Sequence, residues 1–441
     1  MRAAGAVLLT AGVVYLGFFV DRMHSPALLI AFTVAFAGYA ACVRGATDGW
    51  LRYGIGLGIM LRVVLLFAFP RLSDDVYRFV WDGNLIVAGQ SPFAHPPSYY
   101  MDTGGGVAGN DRALYDRLNS QDYYSVYPPV AQATFALAAL PRPASMATAA
   151  VLLKLPLLLA EVGSLLLFVA LLRRWRLPPG RVLLYWLNPL ILVEIMGNLH
   201  FEGVMLCLLL LGLWLLTRSR YAAAGAAVAA SVASKLLPLM FLPFLLNRLW
   251  RRPFWYFFLA LGGVVLALFS PLVVGSGLLD GLGGSLDLYF RKFEFNGSLY
   301  YLLRAYGYYE LGWNQIARFG PLLARIALGG ILIIALADRR TDWRSLPAVW
   351  LAAFVLYLLC ATTVHPWYLT LPVALCCFTA WRYPLLWSYL IMLTYTSYAT
   401  VPYRENLWLV GVEYGLVAAM LLWERNTLKK ERSVLPYGPS L

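Results

Sequence analysis

Long apolar runs, separated by short polar stretches, recur along the whole chain. Most contain about 15–25 residues, and a helix of that length crosses a hydrocarbon core of about 30 Å. The pattern predicts an all-α, multi-pass membrane protein with about 12–14 transmembrane helices in a single integral membrane domain, residues 1–441. The runs lie at residues 3–20, 27–42, 55–70, 147–172, 182–197, 202–217, 221–234, 236–246, 254–275, 316–337, 345–362, 366–381, 383–400 and 408–424.

Two apolar segments do not fit simple crossing helices. The run Val130–Leu140 would be about 17 Å long as a helix, so we expect a re-entrant or interfacial helix there. The segment 221–246 is flanked by arginines and carries Lys235 and Pro238 in its middle. Both of its ends then lie on the same side of the membrane. This predicts a hairpin whose tip, near Lys235, faces a cavity below the outer surface.

The composition agrees with this pattern. Apolar residues make up 61% of the chain, charged residues only 13%, and the mean hydropathy is +0.68. Soluble domains contain about one charged residue in four. A soluble enzyme, a coiled coil and a disordered regulator are therefore excluded. All five cysteines lie in apolar stretches, which predicts small buried residues instead of a disulfide or zinc framework.

The basic residues indicate the orientation in the membrane. More than half of the 35 lysines and arginines lie in loops on the side of the two termini, whereas few of the 22 acids do. This bias predicts cytoplasmic termini and accounts for the net charge of +13 without a nucleic-acid partner. The first run, Ala3–Val20, lacks a small-residue cleavage site, so we expect it to be retained. The large extracytoplasmic loops are then 71–127 and 276–315, and 425–441 is a cytoplasmic tail.

The strongest local motif opens the first large loop. Ser73 is a candidate cap for a helix with Asp74 and Asp75 in its first turn, and Arg78 and Asp82 share a face with them. A structural interpretation explains the acids by the helix dipole and the other residues by salt bridges. A catalytic interpretation sees an acid pair at the membrane surface, one member of which is the general base for a sugar hydroxyl.

A second cluster lies in the turn 198–203 between two apolar runs. It carries Asn198, His200 and Glu202, with Glu194 one helical turn earlier. A polar loop cap is one explanation. A histidine beside several acids at a buried boundary is also typical of a functional site.

Lys235 is isolated inside the apolar hairpin, where an unpaired charge costs about several kcal/mol. Two interpretations stay open: the lysine snorkels or pairs with Glu161 or Glu194, or it contacts a lipid phosphate. Lys154 and Glu161, seven residues apart on one span, are expected to form a structural pair.

The sequence HPWY opens another span at its outer end, with Pro366 suited to a first helical turn. An interfacial aromatic belt explains Trp367 and Tyr368. It does not explain His365, which is suited to donating to a phosphate or orienting a sugar.

These motifs occur in a specific order: DDVYRFVWDG with AGQSPF, YYSVYPP, NPLILVEIMGNLHFEGVM, SVASKLLPLMFLP and HPWY. Over roughly residues 70–405 the chain resembles the bacterial polyprenol-phosphate-mannose-dependent mannosyltransferases, integral membrane glycosyltransferases of the GT-C class. The resemblance implies a GT-C-like helical bundle in a bacterial plasma (inner) membrane. It also implies inverting transfer of a mannosyl or other hexosyl unit, on the extracytoplasmic side, from a polyprenyl-phosphate sugar donor to a glycolipid or glycan acceptor.

The resemblance further implies the catalytic acids. In GT-C enzymes an acidic residue or pair in the first large outer loop activates the acceptor, which indicates Asp74 and Asp75 here, with Asp74 preferred as the base. The pair is adjacent instead of D-x-D. No metal ligand or cofactor is therefore firmly implied, although a divalent cation (Mg²⁺ or Mn²⁺) is compatible. The acidic loop follows the third predicted span, where the class has it after the first. Either an N-terminal hairpin has been added or the early spans are misplaced.

In the composite hypothesis Lys235 stabilises the departing phosphate with His365 and with His200 or Arg78, through an oxocarbenium-like transition state. Tyrosines of the first loop, Tyr123 and Tyr124 among them, are candidate walls for sugar stacking. The expected substrate-binding residues are Tyr77, Arg78, Trp81, Asp82, Tyr127, Asn198, His200, Glu202, Lys235, His365, Trp367 and Tyr368.

Other functions stay open at this point. A transporter or lipid flippase also has many spans, but it should show repeated halves and a site at the membrane midplane. We find no internal repeat, and the polar groups crowd one side, which favours an enzyme. A GT-C enzyme that uses another lipid-linked sugar is poorly excluded. A non-catalytic scaffold would tolerate the loss of Asp74, Asp75 and Lys235.

Overall fold

The computed structural model describes residues 1–45, 48–273 and 293–434. In these ranges it contains α-helices joined by 3₁₀ and π segments and no strand, apart from one isolated parallel bridge between Phe295 and Thr363. The helices are α1 (Arg2–Phe18), α2 (Ser25–Val43), α3 (Asp48–Leu66), α4 (Asp75–Val87), α5 (Pro97–Asp102), α6 (Arg112–Tyr115), α7 (Pro129–Ala139), α8 (Met146–Arg174), α9 (Leu183–Trp186), α10 (Pro189–Ile191), α11 (Glu202–Thr217), α12 (Tyr221–Ser234), α13 (Arg252–Val273), α14 (Leu299–Leu311), α15 (Ile316–Ala337), α16 (Leu346–Cys360), α17 (Thr370–Cys376), α18 (Tyr383–Leu390) and α19 (Leu407–Val434).

Seven of the described helices are long and apolar enough to cross a membrane, and a broken pair bent by 54°, Pro179–Trp186 with Pro189–Gly197, is an eighth candidate. Shorter apolar helices lie between them. The predicted all-α, multi-pass membrane architecture is therefore confirmed, and the number of crossings stays a prediction. The seven are Ser25–Val43, Gly49–Leu66, Met146–Arg174, Arg252–Ser270, Ile316–Ala337, Trp343–Cys360 and Leu407–Lys429.

The two exceptional apolar segments both form short elements. The run Val130–Leu140 coincides with the 11-residue helix α7. In the second segment α12 ends at Ser234, Lys235 is extended, and a 3₁₀ helix, Leu237–Leu245, continues the chain. The helix therefore breaks at the lysine, where the sequence predicted the tip.

Three helices, α1 to α3, precede the acidic motif. The early helices are therefore present, and the N-terminus contributes a helical hairpin, α1 and α2, ahead of the helix that leads into the motif. In the second predicted loop, residues 276–292 lie outside the described residues and α14 occupies part of the rest. The predicted tail 425–441 starts inside α19, and 435–441 lies outside the described residues.

Small residues bring two helix pairs into close contact. A Cβ on Gly38 would lie 2.4 Å from the backbone nitrogen of Leu9, so α2 packs directly on the backbone of α1. A Cβ on Gly83 would lie 2.5 Å from the carbonyl oxygen of Phe135. The second contact seats α4, which carries the acidic motif, on α7.

A fully buried ion pair joins α3 to α8. The Arg62 guanidinium donates to the Glu161 carboxylate at 2.7 and 2.9 Å, and Glu161 also accepts from the Tyr185 hydroxyl at 2.7 Å. Arg62 lies 3.5 Å from the centre of the Trp186 ring and donates to the Trp186 carbonyl. One cation thus connects α3, α8 and α9.

The expected pair between Lys154 and Glu161 is wrong. The Lys154 ammonium is buried and donates to the carbonyl oxygens of Leu65 and Ala68. Leu65 lies in the last turn of α3 and Ala68 lies two residues after the helix ends. The lysine therefore caps the helix that leads into the acidic motif, and Glu161 takes Arg62 as its partner.

Replacing Arg62 with alanine should lower the free energy of unfolding by about 3–5 kcal/mol, because Glu161 would stay buried without its cation. Thermal or denaturant unfolding in detergent measures this. Arg52→Ala, an exposed position on the same helix, is the control and should change stability by about 0.5 kcal/mol or less. Equal losses in the two variants would contradict the assignment.

Candidate active site

A cavity of about 840 Å³ opens beside the start of α4. Its wall is formed by the beginning of α4, the loop before α7, the turn before α11, the end of α12, and α15 with the chain after α16. Most of the sequence-predicted site residues line it: Asp74, Asp75, Arg78, Tyr127, His200, Glu202, Lys235, His365, Trp367 and Tyr368.

Asp74 and Asp75 lie where the chain enters α4. Asp74 is the residue before the helix, and the Ser73 hydroxyl accepts the backbone N–H of Asp75 at 3.3 Å. The Asp74 carboxylate forms an ion pair with Arg22. The Asp75 carboxylate accepts an amide N–H from Asn119 at 3.2 Å. Both acids thus lie on one cavity wall, with partners of different charge.

Arg78 lines the cavity, but its partner Asp82 lies behind the wall. The Arg78 guanidinium donates to the Asp82 carboxylate at 2.7 Å and to the Tyr123 carbonyl at 2.9 Å. Asp82 is fully buried and also accepts from Ser125 and Gln132. The sequence hypothesis counted Asp82 among the substrate-binding residues, but Asp82 does not line the cavity. It holds Arg78 instead.

Three other predicted substrate-binding residues also lie outside the cavity lining. Trp81 is fully buried and packs in a cluster with Tyr100. Tyr77 packs against Phe69. The Asn198 side-chain oxygen accepts the backbone N–H of Leu72 at 3.1 Å. Trp81 and Tyr77 thus pack among neighbouring side chains, and Asn198 holds the chain that enters the acidic motif.

Lys235 meets an acid that the sequence interpretation did not pair with it. Its ammonium forms an ion pair with Glu202 and lies 4.8 Å from the centre of the Tyr368 ring. The Glu202 side chain is 3% exposed, whereas that of Lys235 is 29% exposed. The proposed partners Glu161 and Glu194 are engaged elsewhere. The lysine therefore keeps part of its surface in the cavity.

A stack of rings lies beside the lysine. The imidazoles of His200 and His365 lie 3.7 and 4.4 Å from the Trp367 ring, centre to centre. The Nδ1 atom of His200 lies 2.9 Å from the main-chain oxygen of Glu194 and 3.2 Å from its carboxylate. Glu194 also accepts from the Tyr395 hydroxyl at 2.8 Å. Stacking and hydrogen bonding together fix the orientation of His200.

The tautomer of His200 follows from these contacts. Both atoms that face Nδ1 are acceptors, so Nδ1 carries a hydrogen, and Nε2 is left to act elsewhere. Within the described part of the chain, Nε2 of His200 and Nδ1 of His365 have no hydrogen-bond partner. Glu194 lies on a π-helical turn, Leu192–Gly197, a backbone form that is frequent at functional sites.

Aromatic rings line the cavity beside the acid pair. Tyr123, Tyr124 and Tyr127 come from the loop before α7, and the Tyr127 ring meets Phe79 edge-on at 4.9 Å. Tyr398 lies opposite, beneath the Arg22 guanidinium at 5.2 Å. These rings give flat, partly polar surfaces of the kind that pack against a sugar.

Part of the cavity lining, which we call the apolar end, consists of apolar side chains. The lining residues of α15 extend from Gly320 to Ile331, which is about 16 Å along the helix axis. The 3₁₀ helix after Lys235 faces the same space. The apolar lining residues are Leu236, Leu237, Leu239, Met240, Pro243, Gly320, Ala324, Ala327, Leu328 and Ile331.

Sequence reasoning missed several residues of this site. Arg22 lies in the short polar stretch between the first two apolar runs, and Asn119 lies in the long loop before α7. A charge at a span end was the only signal for Arg22, because nothing in the spacing connects it to an acid 52 residues later. Glu194 was expected as a candidate partner of Lys235, and its contacts with His200 and Tyr395 were not predicted.

The described residues contain no group of three or more His, Cys, Asp or Glu side chains that could hold a metal ion. The sequence is compatible with a divalent cation without implying one.

The chain that follows Phe293 is held by Glu405. Phe293 lines the cavity, and two residues later Phe295 packs on the His365 ring at 4.9 Å. Glu405, in the loop before α19, accepts the backbone N–H of Asn296 at 2.6 Å and the hydroxyl of Tyr301. Burial raises the pKa of Glu405 to about 7.

Stability should therefore depend on pH through Glu405. The folded chain holds this proton more tightly than the unfolded chain, whose glutamate has a pKa of about 4.5. Its contribution to stability is thus complete below about pH 4.5 and is lost as the pH rises to about 7. Thermal unfolding in detergent between pH 4.5 and 8 should show this fall in wild type and a smaller one in Glu405→Gln. An identical pH slope in the two proteins would contradict the assignment.

The comparisons with known proteins bear on this geometry. Residues 3–251, more than half of the chain, match the model of the MptA_B family, described as alpha-(1->6)-mannopyranosyltransferase, N-terminal domain. The chain is also 26% identical to alpha-(1->6)-mannopyranosyltransferase A of Mycobacterium tuberculosis, over 84% of this chain and 78% of that protein. The matched region includes the acid pair, the His200 turn and Lys235. The chain therefore belongs to the MptA_B family of alpha-(1->6)-mannopyranosyltransferases.

Proposed function

We propose that this mannosyltransferase takes its sugar from a polyprenyl-phosphate donor and transfers it, with inversion, to a lipid or glycan acceptor on the extracytoplasmic side of the membrane. The observation that carries the proposal is that one cavity combines charged and apolar lining groups. The acid pair, Lys235 and two histidines are the charged and polar groups, and side chains of α15 are among the apolar ones. A lipid-linked sugar phosphate likewise combines charged and polar groups with an apolar chain.

The donor is proposed to lie with its phosphate at Lys235. A cation is the group that a phosphate needs, and the partly exposed ammonium can exchange its hydrogen bond to Glu202 for one to phosphate oxygens. The imidazole of His200 lies in the same wall. Groups held in place before the reaction stabilise the charge that develops on the departing phosphate.

In the reaction, the acceptor hydroxyl oxygen attacks the anomeric carbon of the mannosyl unit as the bond from that carbon to the phosphate oxygen breaks. An aspartate of the pair, Asp74 or Asp75, takes the hydroxyl proton. The products are the mannosylated acceptor and polyprenyl phosphate. Attack opposite the leaving group converts a β-linked donor into an α-mannoside, the linkage in the family's name.

The test is mannosyl transfer in detergent from a synthetic polyprenyl-phosphate β-mannoside to a synthetic α-mannoside acceptor, compared with GDP-mannose as donor. Transfer from the lipid donor alone would support the proposal, and transfer from GDP-mannose alone would overturn it. If another polyprenyl-phosphate sugar were used instead of mannose, the proposed donor sugar would be wrong. Running the assay with and without EDTA tests the dependence on a divalent cation.

Lys235→Gln should lower kcat/KM for the lipid donor by about 10–100-fold, through kcat as well as KM, because the lysine is proposed to stabilise charge that develops on the departing phosphate. The size of the loss follows from the hydrogen bond to a charged group, which contributes about 1.5–3 kcal/mol. Lys429→Gln, an exposed position near the end of α19, is the control and should leave the rate unchanged. Equal kcat/KM values in wild type and Lys235→Gln would remove the lysine from the phosphate site.

Ala324→Trp should fill the apolar end of the cavity and raise KM for a long-chain donor at least about tenfold. A donor with only two isoprene units should be affected less, because it does not extend as far along α15. Leu336→Trp, at an exposed position of the same helix outside the lining, is the matched control. The same loss with both donors would show that the apolar end does not hold the prenyl chain.

A further inference from the structure

The N-terminal helical hairpin delivers one charged side chain into the cavity. Arg22 lies in the short connection between α1 and α2, lines the cavity, and forms an ion pair with Asp74. Its guanidinium also lies 5.2 Å from the centre of the Tyr398 ring. The arginine is thus placed between an acid of α4 and a ring that precedes α19.

The connection that carries Arg22 is fixed by the residues around it. The Arg71 guanidinium donates to the Val20 carbonyl at 3.1 Å, which ties the connection to the chain that enters the acidic motif. The Asp21 carboxylate accepts the backbone N–H of Met23 at 2.9 Å. With α1 and α2 in close backbone contact, the position of the arginine is set by the scaffold.

The contact with Arg22 gives the carboxylates of Asp74 and Asp75 different surroundings. A guanidinium already engages an Asp74 oxygen, so this carboxylate can take a proton there only if the ion pair breaks. The Asp75 carboxylate is instead engaged by a neutral amide, that of Asn119 at 3.2 Å. Proton acceptance at Asp74 would cost its ion pair with a guanidinium, whereas at Asp75 it would cost at most a hydrogen bond to a neutral amide, so Asp75 is the better placed base.

We propose that Arg22 is a positioning residue that holds and neutralises Asp74, and that Asp75 is consequently the carboxylate that takes the proton of the acceptor. The inference rests on the proposed function, since it assigns roles within that reaction. It reverses the preference for Asp74 that the family resemblance implied.

The charges around the pair explain why an arginine is needed. Two adjacent carboxylates at one cavity wall repel each other, and Arg78 is directed to Asp82 behind the wall. Lys235 is paired with Glu202. The histidines lie on the other wall, beside Trp367. Arg22 is therefore the cation that lies directly against the pair.

The ion pair is suited to mutation because it does not hold the fold together. The Arg22 and Asp74 side chains are 28% and 33% exposed, and ion pairs of this kind contribute about 1 kcal/mol or less to stability. The variants Arg22→Gln, Arg22→Lys, Asp74→Asn, Asp75→Asn and Arg22→Gln with Asp74→Asn are compared. Arg425→Gln, an exposed position on α19, is the control.

The measurement is the pH profile of kcat and KM for the lipid donor and the mannoside acceptor. Asp75→Asn should lose at least about a hundredfold in kcat, as expected for removal of a general base. Arg22→Gln should lose about tenfold in kcat, and the acid limb of its profile should move to higher pH, because an uncompensated Asp74 makes its neighbour harder to ionise. Arg22→Lys should restore most of the wild-type kcat and most of the wild-type position of the acid limb.

The double variant decides between positioning and other roles. If Arg22 acts by neutralising Asp74, Asp74→Asn should move the acid limb of Arg22→Gln back, and the double variant should match Asp74→Asn alone. A rise in donor KM in Arg22→Gln with unchanged kcat would mean that the arginine binds phosphate. A larger loss of kcat in Asp74→Asn than in Asp75→Asn would make Asp74 the base. Either result overturns the inference.

Failure of the proposed function gives a different result. If wild type transfers mannose from a nucleotide sugar but not from the lipid donor, the donor assignment fails. The same set of variants then tests the two aspartates with that donor. If both Asp74→Asn and Asp75→Asn keep the wild-type rate, neither acid is the base and the inference fails, whatever the donor is.

Discussion

A charge inside an apolar bundle is tolerated only with a partner, and this requirement organises the chain. Arg62 and Glu161 are both fully buried and join α3 to α8, while Lys154 donates to the carbonyls of Leu65 and Ala68 at and just after the end of α3. A lone ion in such surroundings would cost about several kcal/mol. The sequence positions of these groups therefore determine which helices lie side by side, and through them where the acidic motif enters the cavity.

Two of the cations that line the cavity also have acidic partners, but these ion pairs are more exposed than the pair between Arg62 and Glu161. Arg22 is matched by Asp74 and Lys235 by Glu202, and in both pairs the cation remains more than a quarter exposed. Such pairs leave the charged groups able to change partners. The buried pairs, by contrast, hold the helices in place. In the proposed reaction the donor phosphate thus meets Lys235, a cation that is positioned but not locked, on a scaffold whose own charges are locked.

The sequence predicted the features that depend on composition and periodicity. The apolar runs indicated the helical membrane fold. The acidic motif, the helix break at Lys235 and the histidine turn were indicated because each interrupts or ends such a run. Sequence reasoning failed where a side chain chooses among distant partners. The Lys154–Glu161 pair looked correct from helical spacing, but Arg62, 99 residues away along the chain, competes for Glu161. Glu202 and Arg22 were likewise invisible as partners, since tertiary packing brings them to Lys235 and Asp74.

The π-helical turn Leu192–Gly197 makes the site sensitive to the deletion of a single residue. A π turn accommodates one more residue than an α turn, so removing one residue there would restore a regular α-helix and rotate the residues after the turn by about 100°. The carboxylate of Glu194 and the ring of His200 would then leave a common side of the backbone, although every side chain was still present. The spacing of residues in this segment is thus as much a part of the site as their identity.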